Sequence, residues 1–99
     1  MQRGGTVYIM ASLNNKVLYT GVTSDLLSRV QQHKQKLYCE SFTSKYNCIR
    51  LIYFETFSTI EEAIDEEKRI KGGSRASKEK LINTMNPNWK DLWEDTKDW

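Results

Sequence analysis

Two tyrosines, Tyr8 and Tyr19, flank Asn14-Asn15, and the same stretch continues through Gly21 to Arg29 and His33, the only histidine in the 99-residue chain. A guanidinium offers fixed donors to phosphate oxygens and stays charged at any relevant pH, whereas an imidazole or a phenol hydrogen-bonds or shuttles a proton. Arg29 and His33 are four residues apart, so a helix would stack them on one stripe. Further along, Glu67 shares a helical stripe with Ile60, Ala63, Ile64 and Ile70, which turns its carboxylate toward the core. Its neighbour Glu66 points about 100° away and is expected in solvent. A buried carboxylate needs a partner. A single inward carboxylate suits one hard cation such as Mg2+ or Mn2+, which keeps several waters and borrows substrate phosphate oxygens, and a salt bridge to Lys71 or Arg29 would satisfy it as well.

The elements that must position these groups can be read from pattern. Thr6 to Ala11 and Lys16 to Thr20 are short and rich in β-branched and aromatic residues, and Asn14-Asn15 between them tolerates the positive φ of a tight turn, which predicts a β-hairpin. A turn centred there pairs Tyr8 with Gly21 and Tyr19 with Met10, so the two tyrosines share a face as diagonal neighbours. Gly21 has no side chain, which would leave a gap opposite Tyr8 for a water, a metal or a phosphate. From Ser24 the spacing of Leu26, Leu27, Val30 and Leu37 turns helical, with Thr23 or Ser24 as N-cap, Asp25 in the first turn and an end near Lys36. Cys48 to Glu55 reads as a third strand, apolar on both faces, and so placed in the middle of a sheet or sandwiched. A capping box of Ser58 with Glu61, or Thr59 with Glu62, opens a second helix that stops at Gly72. A third helix, about Ser77 to Met85, ends at Asn86-Pro87, and the tail is expected to dock by Trp89, Leu92 and Trp93 and then fray. The order ββαβαα describes an α+β domain of 1–99, a small sheet with helices packed on it, with a core of about 5–87 and a tail of 88–99.

Composition limits the function classes. At 38% hydrophobic and 28% charged the chain is ordinary globular protein, with no run approaching the roughly 18 apolar residues of a membrane span. Cys39 and Cys48 form neither a C-x-x-C pair nor a disulfide framework, and no signal peptide is evident, which predicts a reduced, cytoplasmic protein. The net charge of +2 conceals an uneven distribution: residues 1–50 hold seven Lys/Arg against two Asp/Glu, and 51–99 hold eight against eleven. Lys68 to Lys80 is again basic, so two basic segments could meet and suit a polyanion.

The order Thr6-Val7-Tyr8, Tyr19-Thr20-Gly21, Arg29, His33, Glu67, Asn86 resembles the GIY-YIG nuclease superfamily over nearly the whole chain. "YTGVTSDLLSRVQQH", "FTSKYN", "EEAIDEEKRIKGGSR" and "NPNWKDL" are similar, segment by segment, to its small single-domain bacterial branch. The resemblance implies a three-stranded antiparallel sheet flanked by helices and the hydrolytic cutting of a DNA phosphodiester with one divalent ion. By position, Tyr8 would be the general base on the attacking water and Tyr19 would place the water or orient phosphate. Arg29 would clamp the scissile phosphate, and His33 occupies a site where the family uses histidine or tyrosine. Glu67 would hold the metal, and Asn86 resembles a polar residue that supports the site after the last helix. A phenol is a poor base at neutral pH, so the base role requires Arg29 and the metal to lower its pKa.

Several positions depart from the pattern. Thr6-Val7 stands for Gly-Ile and Thr20 for Ile, at sites expected to be backbone or packing. Val22 stands where the repair-incision branch has lysine, so a phosphate contact would come from Lys45, Lys71 or Arg75. Gly73 replaces a frequent tryptophan, and Tyr46 resembles a recurrent tyrosine whose expected role is packing. No groove-reading helix is evident, so cutting directed by DNA structure, such as a branch, or by a protein partner is expected over sequence-specific restriction. Two other readings stand beside the nuclease. One is a non-catalytic nucleic-acid-binding module of the same fold. The other is a protein-interaction adaptor that docks through Trp89, Trp93 and Trp99.

Overall fold

In a computed structural model the structure describes residues 4–35 and 46–96, and within these the elements follow the predicted order. Strands β1 (Gly5–Ala11) and β2 (Leu18–Thr23) form the hairpin, helix α1 (Leu26–Gln35) follows, and then come β3 (Arg50–Phe57), α2 (Ile60–Lys71), α3 (Arg75–Met85) and a short α4 (Trp93–Thr96). The sheet is antiparallel throughout, in the order β2-β1-β3. The hairpin register places Tyr8 opposite Gly21 and Met10 opposite Tyr19, as the Asn14-Asn15 turn requires. Asn15 supplies the positive φ of 62°, and the Ser12 amide donates to the Val17 carbonyl at 2.9 Å to close the loop.

The strand in the middle is β1, every residue of which is buried. Its alternating side chains feed two cores. Val7, Ile9 and Ala11 pack with Ile52, Ala63, Ile70 and Ile82 beneath α2 and α3. Tyr8 and Met10 pack with Leu26, Val30, Leu51 and Leu92 beneath α1 and the C-terminal segment. Strand β3, expected in the middle or sandwiched, is an edge strand covered on both faces, and it begins two residues later than its apolar run. The end of the chain covers that edge: the Leu92 amide donates to the Leu51 carbonyl at 2.7 Å, and the Asp91 carboxylate accepts from the Leu51 amide at 3.1 Å. Such coverage satisfies backbone groups that an open edge would expose.

The helix starts follow capping chemistry, with one shift. Thr59 and Glu62 form the capping box of α2, and Ser74 caps α3. At α1 the cap is Asp25, whose carboxylate accepts from the Ser28 amide at 3.3 Å. Thr23, one of the two expected caps, instead accepts from the Asp25 amide at 3.0 Å and turns the chain from β2 into α1. Residues 97–99 lie outside the described residues, so the fraying expected of the tail is not addressed; Leu92 and Thr96 before them are buried.

Candidate active site

On α1, Leu26, Val30 and His33 fall on one stripe and are the buried residues of the helix, so packing of the first two carries the imidazole inward. There its Nε2 lies 2.9 Å from the Tyr8 hydroxyl. The Tyr8 and Tyr19 rings have centroids 6.3 Å apart, and the His33 ring lies 5.7 Å from one and 5.6 Å from the other. One turn earlier, the Arg29 guanidinium lies near enough to the Tyr8 phenol to favour its ionised form.

Gly21 does not leave a vacant gap. The Tyr8 ring fills it: a Cβ on Gly21 would lie 2.5 Å from both the Cζ and the Oη of Tyr8. The missing side chain lets the buried phenol lie across β2 toward the sheet edge, within reach of α1 and of Glu67 on α2. Glu67 contributes to the field at Tyr8, and its Oε2 pairs with the Lys71 Nζ at 2.6 Å. The same ammonium sits 5.9 Å from the centroid of the Tyr19 ring. Two layers from opposite faces of the sheet thus converge at one edge, and seven predicted residues meet there: Tyr8, Tyr19, Gly21, Arg29, His33, Glu67 and Lys71.

Helical phase separates the two adjacent carboxylates as expected, although Glu66 is not left in solvent. It bonds Arg69 through both oxygens and acts on Tyr53 and not on Tyr8; the Arg69 guanidinium holds its carboxyl below the usual range.

The protein's own groups do not favour a phenolate at Tyr8. Burial raises its pKa well above the ordinary phenol value, and the neighbouring Tyr19 and Glu67 add to the rise; the Arg29 cation opposes it without overcoming it. Burial also lowers His33 to about 4, with Arg29 assisting. At neutral pH both groups are therefore uncharged. In the tautomer that leaves Nε2 unprotonated, the Tyr8 hydroxyl donates to His33.

Asn86, Arg75 and Tyr46 are not brought to this edge. The Asn86 amide donates to the carbonyls of Ile52 and Lys90 at 3.0 and 2.8 Å and accepts from the Lys90 amide at 3.1 Å, which ties the end of α3 to β3. Arg75 bonds Glu79 and the carbonyls of Asn15 and Lys16, so it braces the hairpin turn instead of waiting for phosphate. Tyr46, expected to pack, is 41% exposed. Lys45 lies outside the described residues. Thr6, Val7 and Thr20 are buried, in line with packing sites.

Sequence reasoning gave no role to Arg50, whose guanidinium reaches the carbonyls of Ser12, Leu13 and Trp89. No local signal marks such contacts, which span 37 to 39 residues. Trp89 donates its indole N–H to Asn83 and packs on the α2/α3 core, and Trp93 packs on the α1 core, so these two adaptor residues belong to the fold. Trp99 lies outside the described residues.

A buried tyrosine and a half-buried one, with an arginine, a histidine and one carboxylate at the edge of a three-stranded sheet, are accompanied by a sequence match to the GIY-YIG catalytic domain over residues 4–83. The chain belongs to that family, which is of nuclease type. It is 33% identical over 81 residues to a UPF0213 protein of Syntrophus aciditrophicus, covering 82% of this chain and 91% of the relative. A UPF0213 protein of Staphylococcus epidermidis is 36% identical over 76 residues, covering 77% and 90%. The solution NMR structure of a UPF0213 protein from Bacillus halodurans aligns with a TM-score of 0.57 at 26% identity, covering 93% of this chain and 96% of that one. Among the described residues no helix is long and apolar enough to cross a membrane.

Proposed function

We propose that the protein is a cytoplasmic endonuclease that hydrolyses DNA phosphodiester bonds with one divalent ion, Mg2+ or Mn2+. The observation that supports this most is the 2.9 Å hydrogen bond between Tyr8 and His33, formed within the field of the Arg29 cation. It sets two groups that can exchange a proton beside a permanent cation that can hold phosphate.

The donor set fits a weakly held ion. No group of three or more metal-ligating side chains occurs among the described residues, but one carboxylate with substrate phosphate suffices for Mg2+. Glu67 would hold it, and the ion when bound supplies neutralisation of phosphate charge and acidifies water. Arg29 orients the phosphate and stabilises the charge that develops on it. Tyr8 does not wait as phenolate. As the water oxygen bonds to phosphorus and the P–O bond to the leaving oxygen breaks, the water gives its proton to the Tyr8 oxygen, the Tyr8 proton passes to His33 Nε2, and a proton from solvent completes the alcohol product. Tyr19 packs beside both the imidazole and the Tyr8 ring and helps place the water.

The test is cleavage of supercoiled and branched DNA with Mg2+ or Mn2+ by wild type, Tyr8→Phe and Glu67→Gln. Loss of about 10³-fold in both variants, with DNA binding retained, is expected from removal of a proton-transfer group or a metal ligand. Binding without cutting by wild type would favour the non-catalytic module, and cutting that survives in both variants would refute the site.

A further inference from the structure

The pairing of Lys71 with Glu67 bears on how the site is switched on. Lys71 is the last residue of α2, and its ammonium has three favourable neighbours: the Glu67 carboxylate at 2.6 Å, the face of the Tyr19 ring at 5.9 Å, and the C-terminal end of the helix dipole. The carboxylate is enclosed, with its side chain 12% exposed, whereas the lysine side chain is 51% exposed on a flexible stem. A fixed anion therefore has a removable cation over it. An ion pair whose cation is half exposed is held weakly enough for a doubly charged ion to displace the cation once phosphate oxygens complete its shell. Without phosphate the ion would have to evict the ammonium and then sit beside it, an unfavourable meeting of like charges.

We propose that Lys71 is a built-in competitor for the carboxylate that holds the divalent ion, so that the ion enters effectively only together with a nucleic-acid phosphate. This rests on the reading of Glu67 as the metal-holding residue. It gives Lys71 a role distinct from a simple phosphate contact: the lysine neutralises the Glu67 carboxylate in the empty site and couples metal entry to substrate arrival. Arg69 shows the contrast, because its two-point pairing with Glu66 faces Tyr53, away from the tyrosine pair.

Direct binding of Mn2+ to the DNA-free protein, read from the free-ion electron paramagnetic resonance signal, tests this without any activity measurement. Lys71→Met should bind Mn2+ about tenfold more tightly than wild type, Lys71→Gln should behave alike, and Lys71→Met combined with Glu67→Gln should lose the gain. In wild type titrated with Mg2+, the Tyr19 ring resonances should shift as the ammonium leaves the ring. Lys71 variants that bind Mn2+ no better than wild type, while Glu67→Gln still weakens binding, would overturn the competition and leave Glu67 as the metal residue. Mn2+ binding that is indifferent to Glu67→Gln in both backgrounds would overturn the metal reading and the competition with it. Circular dichroism of each variant confirms the fold.

Discussion

Two polar clusters lie at different places in this small protein, and they differ in what their side chains bond. At the β2 edge, Tyr8 bonds His33 and Lys71 pairs with Glu67, both side chain to side chain, and the Arg29 cation acts on the Tyr8 phenol. Around the start of β3, Arg50, Arg75, Asn86 and Asp91 direct most of their bonds to main chain: to the hairpin turn, the Trp89 carbonyl, and the amides and carbonyls of β3 and the tail. A side chain that satisfies backbone groups does the work of missing secondary structure. Side chains that bond one another around a buried phenol and imidazole whose pKa values are displaced hold chemistry in reserve. By this criterion Asn86 moves from the candidate site to the scaffold, and Lys71 becomes central to the site.

Gly21→Ala would break this contrast most sharply. Its Cβ would strike the Tyr8 ring and force the phenol off His33, so cleavage should fall by about 100-fold or more while DNA binding persists. A steady-state cleavage assay beside a binding titration checks it.

Asn86→Ala probes the other cluster. Removing a buried amide that makes three backbone bonds should cost roughly 2–3 kcal/mol in urea unfolding, with cleavage per folded molecule unchanged. A specific loss of cleavage at full stability would return Asn86 to the site.

The smallest effect is a pH dependence. Folded His33 titrates near 4 against an ordinary 6.5, so between those values the unfolded chain binds a proton that the folded chain refuses. Stability is fully present above about pH 6.5, falls as the pH drops toward 4, and loses on the order of 2 kcal/mol from this residue. Urea midpoints of wild type and His33→Gln at pH 7 and 4.5 should show a larger drop for wild type.

Local pattern made most of the site legible. The Asn14-Asn15 turn sets the hairpin register, and register alone puts Tyr8 and Tyr19 on one face and Gly21 opposite Tyr8. The i, i+4 spacing puts Arg29 and His33 on neighbouring turns, and helical phase separates Glu67 from Glu66. What failed was of a different kind. The full apolar pattern of β3 reports that both faces are covered but not which strand is central, because helices and a chain terminus can cover an edge strand as well as neighbouring strands cover a middle one. Tyr46 was expected to pack and is exposed, since a lone aromatic has no period to orient it.

From the sequence alone came the order of elements, the register, the facing of the tyrosines and the inward carboxylate, because each depends on backbone periods of two and 3.6 residues that neighbours in the chain enforce. Tertiary structure decided that the Tyr8 ring, and not a ligand, fills the space over Gly21. It also decided that the phenol is raised and the imidazole lowered, and that Lys71, not Arg29, pairs with Glu67. Those outcomes depend on burial and on distances between elements far apart in the chain, and desolvation has no signature in residue spacing.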